Sequence, residues 1–176
     1  DSFTADWTQK YPNECKGWPK LLAQHYNVTN LAQAGVSEYR ILRQLDNVDL
    51  DCFDLVIVGH TSPYRVPTRR HPVHADDILH KNADLIWTDI DYHAKRIKNV
   101  FNKSLHAARA FMDYHYDEEF FITAYDLIRK EINRLLTNKK VIVFNAFQSS
   151  DIKWFITEEN VIDFSSELSK EHGLIN

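Results

Sequence analysis

The 176 residues are 44% hydrophobic, 26% charged and 12% aromatic, the balance of an ordinary globular chain. That length suits a single domain able to bury about 70% of its unfolded surface without a metal or disulfide scaffold. A formal net charge of -4 excludes a generally basic, nucleic-acid-binding surface, and no signal-peptide pattern or apolar run of membrane-spanning length is present.

Asp1-Ser2-Phe3-Thr4 sets a hydroxyl beside a carboxylate ahead of any helical pattern, a pairing that on its own serves turns and helix N-caps. Residues 14–26 have helical spacing, with Trp18, Leu21, Leu22 and His25 or Tyr26 on one face and Pro19 in the first turn. A short strand is expected at 28–31, followed by Gln33-Ala34-Gly35, where glycine suits a positive φ or the close approach of another group. Residues 36–45 read as a helix capped by Ser37, with Tyr39, Leu42 and Leu45 in register. The run 53–58 is a nearly all-apolar strand of the kind buried in a parallel sheet, and it ends at Gly59. Cys15 and Cys52 form neither a disulfide framework nor a zinc motif; as free thiols they favour a reducing, cytoplasmic setting over a secreted one.

Residues 60–82 break the alternation. Pro63, Pro67 and Pro72, Arg65, Arg69 and Arg70, and His60, His71, His74 and His80 crowd into this connection, which is longer than the about 2–6 residues usual in an α/β unit and therefore has the character of a binding loop. The arginines suit a phosphate, sulfate or carboxylate, although a solvated loop face explains them as well. His71 and His74 with Asp76, Asp77 and His80 offer metal-ligand types, but their spacing matches no metal motif, so the expectation is no metal and no other cofactor. Asp89-Ile90-Asp91 resembles the Asp-x-Asp of haloacid-dehalogenase-like phosphatases or of a glycosyltransferase metal site; supporting residues are missing, and Asp91 reads equally as an N-cap.

From 91 to 115 one helix is expected, with Ile97, Val100, Phe101, Leu105, Ala108, Phe111 and Met112 as its apolar stripe. A second helix, 117–136, opens on Asp117, Glu118 and Glu119 and carries Lys130 and Arg134 toward its other end, as the helix dipole favours. A strand at 139–147, another at 161–164 and a helix at 165–174 complete the alternation, which implies a mainly parallel sheet covered on both faces.

The order of these blocks resembles the SGNH/GDSL hydrolases. Asp1-Ser2-Phe3-Thr4 matches their nucleophile block without its leading glycine. The stretch from Gly17-Trp18-Pro19-Lys20-Leu21-Leu22 to Asn30-Leu31-Ala32-Gln33-Ala34-Gly35 is similar to the family's first helix and second strand, and Val58-Gly59-His60-Thr61-Ser62 stands where the family has Gly-x-Asn-Asp. The resemblance implies one domain spanning 1–176, a three-layer α/β/α sandwich with a flavodoxin-like sheet, and residues missing at both ends, since the family's first strand would precede Asp1. It also implies a serine esterase, for instance a deacetylase of a carbohydrate or lipid, acting on a small-molecule or glycan acyl ester through a Ser2 acyl-enzyme. Asp1 would support the nucleophile; the N–H groups of Ser2 and Gly35 and the Thr61 side chain would receive the oxyanion; His60, Arg65, Arg69 and Arg70 would face the substrate. The sequence departs from the family at Thr61 and Ser62 and has no Asp-x-x-His, offering Asp163, Glu167, Glu171 and His172 instead. His172, His60 or a residue beyond Asn176 is then the base. The alternatives are a non-catalytic module on the same fold, or an acyltransferase using the same serine.

Overall fold

In the computed structural model, residues 4–12 and 17–145 are described. Asp1, Ser2, Cys15, the strand expected at 161–164, the helix expected at 165–174 and His172 lie outside them. The described elements are α1 (Gly17–Leu22), α2 (Glu38–Asp46), β1 (Val56–His60), α3 (Trp87–Ala94), α4 (Lys103–Tyr114), α5 (Glu118–Leu136) and β2 (Val141–Asn145), a mixed helix–strand fold.

The β-branched runs of β1 and β2 pair in parallel, Val56 opposite Val141 through to His60 opposite Asn145. A parallel pair cannot be closed by a tight turn, so the whole of 61–140 forms the crossover. In this register Val58 and Val143 share a face. They are buried with Val36, Ile41 and Leu45 from α2 and its approach, and with Ile132 and Leu136 from α5. The other face carries Phe144, against whose ring Trp18 of α1 sits edge-on at 6.2 Å between centroids.

Each covering helix has a local cause. Asp117 accepts a hydrogen bond from the Phe120 N–H at 3.0 Å, and Glu118 and Glu119 occupy the first turn of α5, where free N–H groups favour negative charge. Tyr125, Arg129, Ile132 and Leu136 then recur at helical spacing as its buried face. Asn138, at φ 70, reverses the chain beyond α5 and leads it into β2. In α2, Ile41 and Leu45 are one turn apart and both buried.

The second apolar cluster joins Val66, Leu85, Ile90, Leu105 and Met112, between α3, α4 and an isolated antiparallel bridge from Val66 to Leu85. Here the sequence expectation fails. The stretch 91–115 is two helices, because Asn99 Nδ2 donates to the His93 carbonyl at the end of α3, and Asn102 caps α4 by accepting from the Leu105 N–H. Asp91 is inside α3, whose N-cap is Ile86. Ile97 and Phe101, expected in the core, are 91% and 93% exposed on the connecting turns. Residues 28–31 belong to no strand. No helix among the described residues is long and apolar enough to cross a membrane.

Ile132 is fully buried between α5 and the sheet. Ile132→Ala is expected to lower the unfolding free energy by about 2–5 kcal/mol through lost burial and the cavity left behind, read from the midpoint shift in urea denaturation.

Candidate active site

Gly35 stands at a corner that no other residue fits. Its φ is +76, and a Cβ there would lie 2.8 Å from the Ala83 Cβ, closer than two carbons approach without displacement of the backbone. The corner is fastened from two sides: the Gly35 carbonyl accepts from the Asp84 N–H at 2.9 Å and from Arg65 Nη1 at 3.1 Å. The Gly35 N–H has no acceptor among the described residues.

Asp84 holds this arrangement together. Its carboxylate, 1% exposed as a residue, accepts from the backbone N–H groups of Ser37 and Thr68, each at 2.8 Å, and from Arg40 Nε at 2.9 Å. Ser37 caps α2 without a side-chain hydrogen bond; its own N–H bond to Asp84 fixes the helix start instead. A carboxylate this deep is tolerable only when its oxygens are satisfied and its charge is paired.

Thr61, directly after β1, is buried and held through every polar group it has. Its N–H donates to Glu38 Oε2 at 3.1 Å, its carbonyl accepts from Tyr125 Oη at 2.9 Å, and its hydroxyl oxygen accepts from Arg65 Nε at 3.2 Å. Accepting from Arg65 leaves the hydroxyl hydrogen to donate elsewhere. Arg65 thus bridges the Gly35 carbonyl and the Thr61 hydroxyl. Its burial works to lower its pKa, against the charges of Asp84 and Asp89.

His60, on the core-facing side of β1, pairs its Nδ1 with Glu38 Oε1. A carboxylate at Nδ1 places a proton on that nitrogen. The Nε2 of the same ring is buried, with no hydrogen-bond partner among the described residues. His60 is therefore a core residue oriented by α2, and Arg65 a bridge between two site blocks; the sequence reading has both on a loop facing the substrate. Arg69 and Arg70 are exposed.

The segment that follows Ser2 is anchored beside the same corner. The Thr4 carbonyl accepts from Asn30 Nδ2 at 2.9 Å, and Ala5 is buried in a cluster with Ala34 and Leu79 against which Trp7 packs. Lys10 Nζ reaches Asp77 Oδ2 at 2.8 Å. That bond, with the backbone N–H groups of His80 and Leu79, holds the Asp77 carboxyl well below the usual carboxylate range.

The histidines of the loop are not a solvated face either. Asp89 of α3 stands among three of them: His74 Nε2 lies 3.2 and 3.1 Å from its two carboxylate oxygens, His71 Nε2 3.4 Å from Oδ2, and His93 Nε2, one turn along α3, 3.5 Å from Oδ1. His71 is 1% exposed; burial, reinforced by the charge of His74, lowers its pKa to about 4. Burial works to raise the Asp89 pKa, but the His74 hydrogen bond and the neighbouring imidazoles bring it below the ordinary value. The carboxylates expected beside these histidines are engaged elsewhere, Asp77 with Lys10 and His80 and Asp76 near Arg70.

No family model matches the chain, and neither a curated protein nor a solved structure matches it. The structure itself brings Gly35 and Thr61 together through Arg65. Sequence reasoning missed Glu38, Asp84 and His93; the one available signal was the position of Glu38 in the first turn of a helix opening just after Gly35.

Asp84→Ala removes the acceptor of the buried Ser37 N–H, of the half-buried Thr68 N–H and of Arg40 Nε. A loss of about 3–5 kcal/mol is expected, against less than about 0.5 kcal/mol for Arg70→Ala on the exposed loop, both read from chemical denaturation.

Proposed function

We propose that the chain is an acyl-ester hydrolase of three-layer α/β/α architecture, acting through an acyl-enzyme on Ser2. The observation that carries the reading is convergence. Three sequence blocks far apart in the chain meet at one corner: Ala5, three residues past Ser2, packs on Ala34; Gly35 follows it; and Arg65 ties Gly35 to Thr61. A serine hydrolase needs such a meeting of nucleophile, backbone donor and side-chain donor, because the charge that develops on the carbonyl oxygen must find fixed hydrogen-bond donors.

The chemistry follows from those parts. Ser2 Oγ attacks the ester carbonyl as a base takes its proton. The Gly35 N–H, without a protein acceptor among the described residues, and the Thr61 hydroxyl, whose oxygen is already turned by Arg65, stabilise the oxyanion. The alcohol leaves with a proton returned by the base, and water attacks the acyl-enzyme to release the acid. His172 is one candidate base and His60, already paired with Glu38, is another. Two-sided cover of the sheet is supported by Trp18 against Phe144 on the face opposite α2 and α5. The expected substrate is a small-molecule or glycan acyl ester.

A second reading, a non-catalytic binding module on the same fold, is favoured by one observation: Thr61 is almost fully buried, with its N–H already taken by Glu38. One experiment separates the two. A fluorophosphonate probe is expected to label the chain, and Ser2→Ala is expected to abolish both labelling and turnover of a short acyl ester. Thr61→Ala is expected to lower kcat by about 10²–10³, with Thr61→Ser restoring most of it. Absence of labelling and turnover in the unaltered chain would assign it to the second reading.

A further inference from the structure

Asp89, His74, His93 and His71 form a group that the hydrolytic reading does not use. Imidazole and carboxylate together suit zinc and neighbouring first-row ions, not the all-oxygen shells of magnesium or calcium. The ligand atoms of His71, His74 and Asp89 all lie within 4.8 Å of one another, and His93 Nε2 approaches the same carboxylate from the Oδ1 side.

Two observations decide which imidazoles can bind an ion directly. The His71 Nδ1 accepts hydrogen bonds from the N–H groups of Val73 and His74, each at 3.2 Å. Its neutral ring must therefore carry the proton on Nε2, which lies 3.4 Å from Asp89 Oδ2 and has no lone pair for a metal. The His71 and His74 rings are also stacked, 4.5 Å apart at 27°, so their in-plane lone pairs run side by side instead of converging.

His93 differs on both counts. Its Nδ1 has no hydrogen-bond partner among the described residues, so the proton can reside there and leave Nε2 free to coordinate. Its ring is steeply inclined to that of His74, at 84° and 5.2 Å. Asp89 and His93 are four residues apart on α3, the spacing that sets two ligands on one helix face. With metal–ligand bonds of about 2.0–2.2 Å, neighbouring ligand atoms in a tetrahedral shell lie about 3.3 Å apart. The Nε2 atoms of His74 and His93 lie 3.2 and 3.5 Å from Asp89 Oδ1.

We propose that His74, His93 and Asp89 bind a single divalent transition-metal ion of the zinc type, with the protonated Nε2 of His71 facing the coordinating carboxylate as a positioning residue. The ion would stand between Asp89 and the Nε2 atoms of His74 and His93, each neutral ring carrying its single proton on Nδ1. Solvent completes the shell. The site would fasten the loop carrying His71 and His74 to α3, and it does not depend on the esterase reading.

Titration of the metal-free full chain with Co²⁺, followed by visible absorption, and with Zn²⁺ against a chromophoric chelator, tests the assignment. One equivalent is expected to bind, with the thermal midpoint rising on Zn²⁺ addition. His74→Ala and Asp89→Asn should each weaken binding more than about 100-fold, and His71→Ala by about 10–100-fold, the effect of losing a group that orients a ligand. His25→Ala and His115→Ala, on the exposed surface, should change nothing. Circular dichroism of each metal-free variant checks folding; His74, a loop residue, decides the case if the half-buried His93→Ala does not fold. Absence of saturable binding, or affinity unchanged in the His74→Ala Asp89→Asn double variant, would overturn the proposal. A loss in His71→Ala as large as that in His74→Ala would overturn the division between ligand and positioning residue.

Discussion

A single buried carboxylate, that of Asp84, sets the geometry on which the candidate active site depends. It binds the N–H of Ser37, the N–H of Thr68 and the guanidinium of Arg40, while its own backbone N–H holds the Gly35 carbonyl. The start of α2, the long loop and the glycine corner are thereby referred to one residue. The desolvation cost of a charge in that position falls on any arrangement that leaves one of its oxygens unpaired. Alternative packings of the loop against α2 are therefore costly, and the corner keeps its shape without help from a large apolar core of its own.

Glu38 does the equivalent work at the end of the sheet. One of its oxygens meets His60 and the other the Thr61 N–H, so the last residue of β1 and the residue after it are both registered against α2. Tyr125 of α5 closes the same point from the other helix through the Thr61 carbonyl. The two carboxylates thus act on a common element: Asp84 fixes where α2 begins, and α2 in turn carries Glu38 to the strand. Arg65 completes the circuit between the glycine corner and Thr61.

How much of this can be read from the sequence depends on how local the cause is. α5 is legible because Asp117, Glu118 and Glu119 cap it from within its own first turn, and both strands are legible as short β-branched runs. The break between α3 and α4 was written in Asn99 and Asn102, but an apolar stripe through Ile97 and Phe101 outweighed them, and those side chains are spent on solvent-facing turns. At the site, Gly35 is legible as a glycine; its reason, the Ala83 Cβ, is a long-range contact that no local pattern announces. The histidine loop was visible as composition. Its carboxylate partner was not, because Asp77 is taken by Lys10 from the other end of the chain, and the vacancy is filled by Asp89 from a helix.

The parallel pairing of β1 with β2 has a bearing on biosynthesis. Because 61–140 lies between the two strands, β1 is made long before its partner, and at about 5–20 residues per second it stays without one for roughly ten seconds while the rest emerges. During that interval Val56, Ile57 and Val58 form an open, β-branched edge on a nascent chain, the kind of surface that aggregates or recruits a chaperone. The α2 segment is already synthesised by then, and Glu38 can engage His60 before β2 exists. A contact that orients a side chain in the finished protein can thus also shelter a strand still waiting for its neighbour.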